Sequence, residues 1–223
     1  QRVIVVDAGG NGDYTTLNDA VAACTGASAT NRYLIVVFGV STLTANCSLP
    51  DGVDITGLGG GMIVSTTSYT ITVTATTTTA YYVPIYSNIV FRGDSTARVL
   101  HFAASAKCVF SGCVLYNVSM TFDGAGADVE FDNCRIGTGF YVGTPHSTEK
   151  LTFRYCNFRN TQFGAYSGTI SFDNCTWLST LSSPPSLLIG SAAATVYIVN
   201  CDIRNTATSG SPVAVAVEDA DPT

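Results

Sequence analysis

The segment FDNCRIG, residues 131–137, returns almost unchanged as FDNCTWL, residues 172–178. Three further segments, FSGCVL, FRYCNF and IVNCDI, share its frame of apolar–x–x–Cys–x–apolar. The five cysteines of this frame are Cys113, Cys134, Cys156, Cys175 and Cys201. Successive cysteines are 21, 22, 19 and 26 residues apart. Repeats of this length are typical of solenoids, either leucine-rich repeats or β-helices.

The sequence between the cysteines favours the β-helix. The Leu-x-x-Leu-x-Leu frame of a leucine-rich repeat is absent, and each unit consists of short β-rich runs separated by Gly, Asn, Asp and Ser. No stretch after residue 30 has a helical period of useful length. We therefore expect an all-β fold, a right-handed parallel β-helix with coils of roughly 22 residues and an N-terminal capping α-helix.

Alignment on the cysteines predicts which side chains stack. Coils of a parallel β-helix lie about 4.8 Å apart, so equivalent residues form columns. The residue three before each Cys and the residue two after it are apolar and should point inward. The first column is Phe110, Phe131, Phe153, Phe172 and Ile198, and the second is Leu115, Ile136, Phe158, Trp177 and Ile203. We interpret the cysteines between them as a ladder of small buried side chains with free thiols.

Two polar columns flank this core. The residue before each Cys is suited to a tight corner between strands; this column is Gly112, Asn133, Tyr155, Asn174 and Asn200. Four residues after each Cys stand Asn117, Thr138, Asn160, Ser179 and Asn205. Amides stacked there can hydrogen-bond along the axis and satisfy backbone groups of the turns.

The predicted domain organisation follows from where the repeat is visible. Residues 1–30 hold a strand and the capping helix YTTLNDAVAACTG, with Thr15 or Thr16 as N-cap and Gly26 as the stop. Residues 31–212 form the β-helix, within which we expect residues 66–90 to be an irregular projecting segment. Residues 213–223 form a C-terminal strand or tail, which is a last coil, a swapped strand or an interface arm.

Composition excludes several partners. Only 12% of the 223 residues are charged, the net charge is −6, and no basic cluster offers a footprint for nucleic acid. No apolar run is long enough to span a membrane. The eight cysteines form no Cys-x-x-Cys pair and only two histidines are present, so we expect no zinc or iron–sulfur site. The chain begins at Gln1 rather than Met, as in a processed product or an excised fragment.

The first 65 residues resemble the start of the pectin methylesterase and pectate lyase superfamily of β-helices. The segments VIVVDAGGNGDYTTLNDAVAA, RYLIVVFGV and LPDGVDITGLGGGMIV follow that superfamily's order of strand, Gly-rich turn, capping helix and first coils. Phage tailspikes and other virion β-helices share this opening. The resemblance therefore implies a fold rather than an activity.

The superfamily's catalytic motifs are not matched. A pectin methylesterase carries its general acid in a Gln-Asp-Thr motif, where this chain has Asn117, Val118 and Ser119. Its nucleophilic Asp follows the next coil, where this chain has Gly139 and Phe140. The Asp pairs and the Gly-His-Gly of polygalacturonases are also absent. The resemblance thus implies no esterase or polygalacturonase activity, and a calcium-dependent lyase is harder to exclude.

The best acidic constellation lies within the repeats. Asp132, Arg154 and Asp173, each two residues before a Cys, should stack on the outer surface, with Glu130 on the same side. Carboxylates beside a cation can bind calcium or perform acid–base chemistry on a polysaccharide. The alternative, which we favour, is a surface ion ladder that relieves like-charge stacking.

Other candidate sites are weaker. DAGGNGD, residues 7–13, and DGAGAD, residues 123–128, resemble parts of calcium loops, but such turns are ordinary loop chemistry. We therefore expect no cofactor, with calcium as the only alternative. Tyr81, Tyr82 and Tyr86 are candidates for stacking on sugars or for subunit packing, but we favour the interpretation that they cover a coil. His146 has no partner in the sequence, and we interpret it as a surface residue.

Three functions remain open. The first is a non-catalytic structural protein of a bacteriophage virion, a capsid-decoration, spike or fibre module that acts as a rigid homotrimer on a capsid or tail lattice. The second is an extracellular polysaccharide lyase or hydrolase that uses Asp132, Arg154, Asp173 and Glu130. The third is a carbohydrate-binding adhesion module. Because the esterase carboxylates are missing, we expect the first.

Overall fold

The computed structural model describes residues 1–66, 69–76, 83–93, 100–142, 148–163, 168–180, 187–190, 195–205 and 215–218. Within these ranges one short helix is present and every other element is a β-strand. The paired strands run parallel, and coil lies upon coil. The chain is therefore a parallel β-solenoid of about six coils, as the repeat predicted.

Each coil contributes strands to three faces. The first and second faces belong to one 15-stranded sheet, joined by the long strand Val53–Ser65. The first face contains Arg2–Asp7, Tyr33–Thr42, Ile85–Ser87, Lys107–Ser111, Asp128–Asp132, Lys150–Arg154, Thr169–Asp173 and Thr195–Val199. The second face contains Val90–Gly93, Val114–Tyr116, Arg135–Ile136, Asn157–Arg159, Thr176–Ser179 and Asp202–Asn205.

The third face is a separate six-stranded sheet. Its strands are Cys47–Leu49, Ile71–Val73, Leu100–Phe102, Ser119–Phe122, Tyr141–Val142 and Gln162–Phe163. Beyond it, Val215–Glu218 pairs in parallel with Leu187–Gly190.

The predicted helix caps the N-terminal region and runs over Leu17–Ala23. Thr16 is the N-cap, and its hydroxyl accepts a hydrogen bond from the Asp19 amide at 3.2 Å. Leu17 and Ala20 are buried against the first coils. Among the described residues, no helix has the length and apolar character that crossing a bilayer requires.

The predicted aromatic column runs through the interior. Phe110, Phe131, Phe153 and Phe172 are all buried, and their rings stack with centroids 4.9, 4.8 and 5.3 Å apart. In the second column the rings of Phe158 and Trp177 are parallel at 3.9 Å. Stacking at the coil spacing means that a solid core, with equivalent residues in contact, holds the coils together.

The first and second faces meet at a tight corner. The residue before each repeat cysteine lies there with a positive φ, as does Asn88 before Ile89, and the φ values are between 51° and 63°. This corner column is Asn88, Gly112, Asn133, Tyr155, Asn174 and Asn200. Gly and Asn tolerate this left-handed conformation, whereas most side chains do not. The corner explains why the repeat places Asn or Gly before Cys.

The prediction that residues 66–90 project from the solenoid is wrong for the described part of that segment. Ile71–Val73 pairs with Cys47–Leu49 on one side and with Leu100–Phe102 on the other. Ile85–Ser87 lies between Val53–Ser65 and Lys107–Ser111. The described strands of this segment therefore lie in register with the coils on either side, and Ile89, fully buried, takes the place of Cys.

An ion pair with a nearly buried carboxylate, that of Asp54, connects the first coils. Asp54, 5% exposed, accepts a hydrogen bond from Arg32 at 2.7 Å and another from Gln1 at 2.9 Å. Its other carboxylate oxygen accepts the backbone amide of Ile85 at 2.9 Å. This carboxylate therefore joins the N-terminal strand to two later coils.

Candidate functional site

The cysteine ladder occupies the inside of the corner between the first and second faces. Cys113, Cys134, Cys156 and Cys175 are buried, and Cys201 is half-buried. Each thiol lies 3.2–3.6 Å from the carbonyl oxygen of the first-column residue one coil earlier. A cysteine thus fills a small space and gives a weak S–H donor to a corner carbonyl.

All eight thiols are free, and seven of them are buried. Burial raises the pKa of Cys24 to about 11 and, helped by the nearby Cys24, that of Cys47 to about 12. Within the ladder, hydrogen bonds that Cys134 and Cys175 donate lower the pKa of Cys156. A hydrogen bond with Cys113, the bond to Cys156 and burial raise the pKa of Cys134, and the bond to Cys156 and burial raise that of Cys175. Because the row is largely buried and each of its thiols lies against a backbone carbonyl, it is suited to packing rather than to nucleophilic chemistry.

The acid–base row is assembled by the register. Asp132 is paired with Arg154, and Arg154 is paired with Asp173, on three neighbouring strands of the first face. The ion pair, however, joins Arg154 to Glu130 at 2.6 Å, and Asp173 accepts a hydrogen bond from Asn174 at 2.8 Å. The row is thus arranged as a surface ladder whose cation already neutralises one of its acids.

Of the three sugar-stacking candidates, the structure describes only Tyr86. Tyr86 is fully buried beneath the first face, with its ring 5.1 Å from that of Phe110, so the prediction that it binds glycans is wrong. The sequence suggested a surface because the segment lacks the Cys frame, whereas Tyr86 in fact extends the phenylalanine column. Tyr81, Tyr82 and His146 lie outside the described residues.

The calcium-loop fragments use their carboxylates to hold turns. Asp7 accepts the backbone amide of Gly9 at 2.8 Å, and Asp13 accepts that of Val5 at 2.8 Å. In the second fragment, the Asp123 carboxylate lies against the imidazole of His101. Within the described ranges, no three His, Cys, Asp or Glu side chains are grouped closely enough to hold a metal ion.

A histidine cluster on the third face was not found by sequence reasoning. His101 Nε2 lies 2.5 Å from Asp123 Oδ2, and its Nδ1 lies 2.7 Å from Thr121 Oγ1. A neutral imidazole in this position donates a hydrogen bond from Nε2 to the carboxylate and accepts one at Nδ1 from the hydroxyl. In such an arrangement a carboxylate orients a histidine that can act as a base toward a hydroxyl. The sequence signal that could have revealed this cluster is the spacing, since Thr121 follows His101 by 20 residues, which is about one coil.

A groove of about 380 Å³ lies between the helix and the first strand of the third face. Asn18 and Asn46 line it, and the side-chain amides of both accept hydrogen bonds from backbone N–H groups. Asn18 accepts the amide of Thr44 and Asn46 accepts that of Thr70, each at 3.0 Å. We therefore interpret this groove as part of the cap packing.

Comparisons with known proteins name no relative. No family model matches the chain, and neither the curated proteins nor the solved structures contain a significant match. The parallel β-solenoid is therefore established by the geometry of the chain itself.

Proposed function

We propose that this chain is a non-catalytic structural protein, a rigid β-helical module that works as a homotrimer on a virion. The observation that carries this proposal is the continuous aromatic column from Tyr86 to Phe172, in which neighbouring rings lie 4.8–5.3 Å apart. A core of this kind resists bending and shear between coils. Such a core suits a spike, fibre or decoration module that must keep its shape.

Two further observations support a structural role within the pectin lyase-like superfamily. The order of strand Arg2–Asp7, helix Leu17–Ala23 and strand Tyr33–Thr42 agrees with the opening that its members, including virion β-helices, have in common. The most plausible acid–base row has its arginine engaged by Glu130. We therefore favour a virion location over an extracellular enzyme.

An apolar ridge supplies a surface for self-association. Phe38 and Leu58 are neighbours in register, and they are 38% and 48% exposed. Val40, 49% exposed, lies beside them where the two long strands bulge at Gly39 and Gly59. Three copies packed along this ridge would remove it from water.

The molar mass in solution, measured by light scattering, tests the trimer. We expect the mass of three chains for the wild-type protein and of one chain for Phe38→Asp/Leu58→Asp. Leu178→Asp, a matched change at an exposed leucine on the second face, should leave the mass unchanged. A wild-type protein that remains a single chain at high concentration contradicts the homotrimer. A trimer that survives the double change places its interface elsewhere.

The second candidate is a polysaccharide lyase or hydrolase, and the His101 cluster is the observation that favours it. A screen for degradation of acidic polysaccharides, repeated with His101→Gln, Asp132→Ala and Asp173→Ala, distinguishes the two functions. Cleavage that His101→Gln abolishes would assign catalysis to the third face. Cleavage that the two aspartate changes abolish would assign it to the first face, and either result overturns the non-catalytic proposal.

A further inference from the structure

Two neighbouring coils bring a hydroxyl, an imidazole and a carboxylate together on the outer surface of the third face. Thr121 lies in the strand Ser119–Phe122, and Asp123 directly follows that strand. His101, on the coil before, is paired in register with Thr121. The backbone amide of Asp123 donates to the carbonyl of Phe102 at 2.9 Å, which holds this turn beside the histidine strand. The backbone therefore fixes the three groups relative to one another.

The carboxylate determines which nitrogen of His101 carries the proton. Asp123 Oδ2 lies 2.5 Å from His101 Nε2, and an ionised carboxylate only accepts hydrogen bonds, so Nε2 is the donor. In the neutral imidazole Nδ1 is then an acceptor, and the hydroxyl of Thr121, 2.7 Å away, donates to it. The hydroxyl of Thr121 is thus hydrogen-bonded to a base whose other nitrogen is held by an acid, the arrangement that activates a nucleophile.

This cluster is accessible from solvent, whereas most of the cysteine ladder is not. The side chains of His101 and Asp123 are 22% and 64% exposed, and Thr121 is half-buried. The hydroxyl of Thr16 also has a charged partner, since it donates to Asp19 at 2.7 Å, but a carboxylate is a much weaker base than an imidazole. Thr121 is therefore the hydroxyl for which the structure combines a strong base with access for a small reagent.

We propose that Thr121 is a site of covalent modification, at which the chain accepts a short acyl group from an activated ester. Thr121 Oγ1 attacks the carbonyl carbon of the ester while its proton passes to His101 Nδ1. The bond between that carbon and the leaving oxygen breaks, and His101 gives the proton to the departing oxygen. The products are a threonine ester and the free alcohol, and the imidazole is neutral again. General-base assistance of this kind accelerates a reaction by about 10²–10⁴-fold.

This inference goes beyond the proposed structural role, since a rigid rod requires no reactive hydroxyl. The acceptor of the acyl group is the chain itself, so the inference is also distinct from the cleavage of a polysaccharide. The acyl group is located by mass spectrometry, and the trimer is tested by molar mass. Either one can therefore fail while the other stands.

Treatment of the whole chain with p-nitrophenyl acetate tests the proposal, with tandem mass spectrometry of the digested protein to locate acetyl groups. We expect acetylation of Thr121 to be at least about tenfold faster than that of any other Ser or Thr among the described residues. His101→Gln, which removes the base, should lower this rate at least about tenfold. Thr72→Val is the matched control, because Thr72 flanks His101 on its other side, and it should change the rate less than about twofold.

Variants of Thr121 and Asp123 separate the roles of the hydroxyl and the carboxylate. Thr121→Ser should keep the acetyl group at this position, whereas Thr121→Val, which has the same shape, should remove it. Asp123→Asn should slow acetylation severalfold, because an amide can donate to Nε2 and so move the ring proton to Nδ1. Circular dichroism and thermal unfolding of each variant show whether the fold is intact.

Four results would overturn the proposal: the absence of acetyl on Thr121, acetyl on His101 alone, an unchanged rate in His101→Gln, or an equal loss in Thr72→Val. Release of more than one nitrophenolate per chain that Thr121→Val abolishes would show that water hydrolyses the threonine ester. That result would support the role of Thr121 and contradict the non-catalytic function.

Discussion

Tyr155 occupies a corner position that its side chain does not favour. Its φ is 54°, while the equivalent residues of the corner column are Asn or Gly. The left-handed conformation costs an ordinary side chain about 1 kcal/mol or more, and Asn tolerates it much better. Because Tyr155 is 60% exposed, removing its ring sacrifices little buried area. We expect Tyr155→Asn to stabilise the protein by about 1 kcal/mol.

Urea and thermal unfolding provide the assay. For a chain of this size, about 1 kcal/mol corresponds to a rise of roughly 2–4 °C in Tm. Tyr197→Asn is the matched control, because Tyr197 is 54% exposed on a strand of the first face and has no positive φ. It should bring no gain. The reverse change, Asn133→Tyr, should destabilise by about 1 kcal/mol.

The reasoning is refuted if Tyr155→Asn leaves the free energy of unfolding unchanged or lowers it while Asn133→Tyr is tolerated. In that case the ring of Tyr155 would have to contribute packing equal to the cost of its backbone conformation. Equal gains in the Tyr155 and Tyr197 variants would also count against it, since they would point to a general effect of removing exposed tyrosines.

The remaining predictions concern the core and the thiols. Asp54→Ala should cost about 2–3 kcal/mol in urea unfolding, because it leaves a partly buried guanidinium without its carboxylate. Phe153→Ala should cost about 3–5 kcal/mol through the cavity left in the aromatic column, whereas Thr152→Ala on the outer side should change stability by less than about 0.5 kcal/mol. Alkylation of the folded protein, followed by mass spectrometry, should label the half-buried Cys201 first. Since burial raises the pKa of Cys47 from 9.0 to about 12, its contribution to stability should be complete below pH 9 and decline as pH rises toward 12, as urea unfolding across that range would show.

The solenoid could be predicted because its register is visible in the sequence. The separations of the repeat cysteines equal the register offsets between paired strands, as in Arg135 with Asn157 and Asn157 with Thr176. Each coil buries the same positions against the coil before it, so the same residue types recur. The inward column and the corner column both follow from this repetition.

The coil at Ile85–Ser87 was missed because the search followed a residue type rather than a physical requirement. The position after the corner needs a buried apolar side chain of modest size. Ile89 satisfies it as Cys113 does, and Asn88 supplies the positive φ before it. Had the alignment used the Asn-apolar pair instead of Cys, the segment would have fitted the repeat.

Side-chain partners on the surface were harder to predict than stacking in the core. The register correctly placed Asp132 and Asp173 on either side of Arg154, but the long arginine reaches Glu130 diagonally on the neighbouring strand. The His101 cluster depends in the same way on residues that lie one coil apart. Exposed side chains have several partners within reach, and backbone spacing alone does not choose among them.

The corner also explains how charge is distributed between the faces. Before it, on the first face, the outward positions include Glu130, Asp132 and Asp173. After it, on the second face, they include Arg135 and Arg159. Whether a charged residue precedes or follows the corner therefore decides which face carries its charge. The net charge of the chain gives only the sum over both faces. Because the two surfaces share a backbone but not their outward side chains, neutralising the second-face arginines leaves the charges of the first face unchanged.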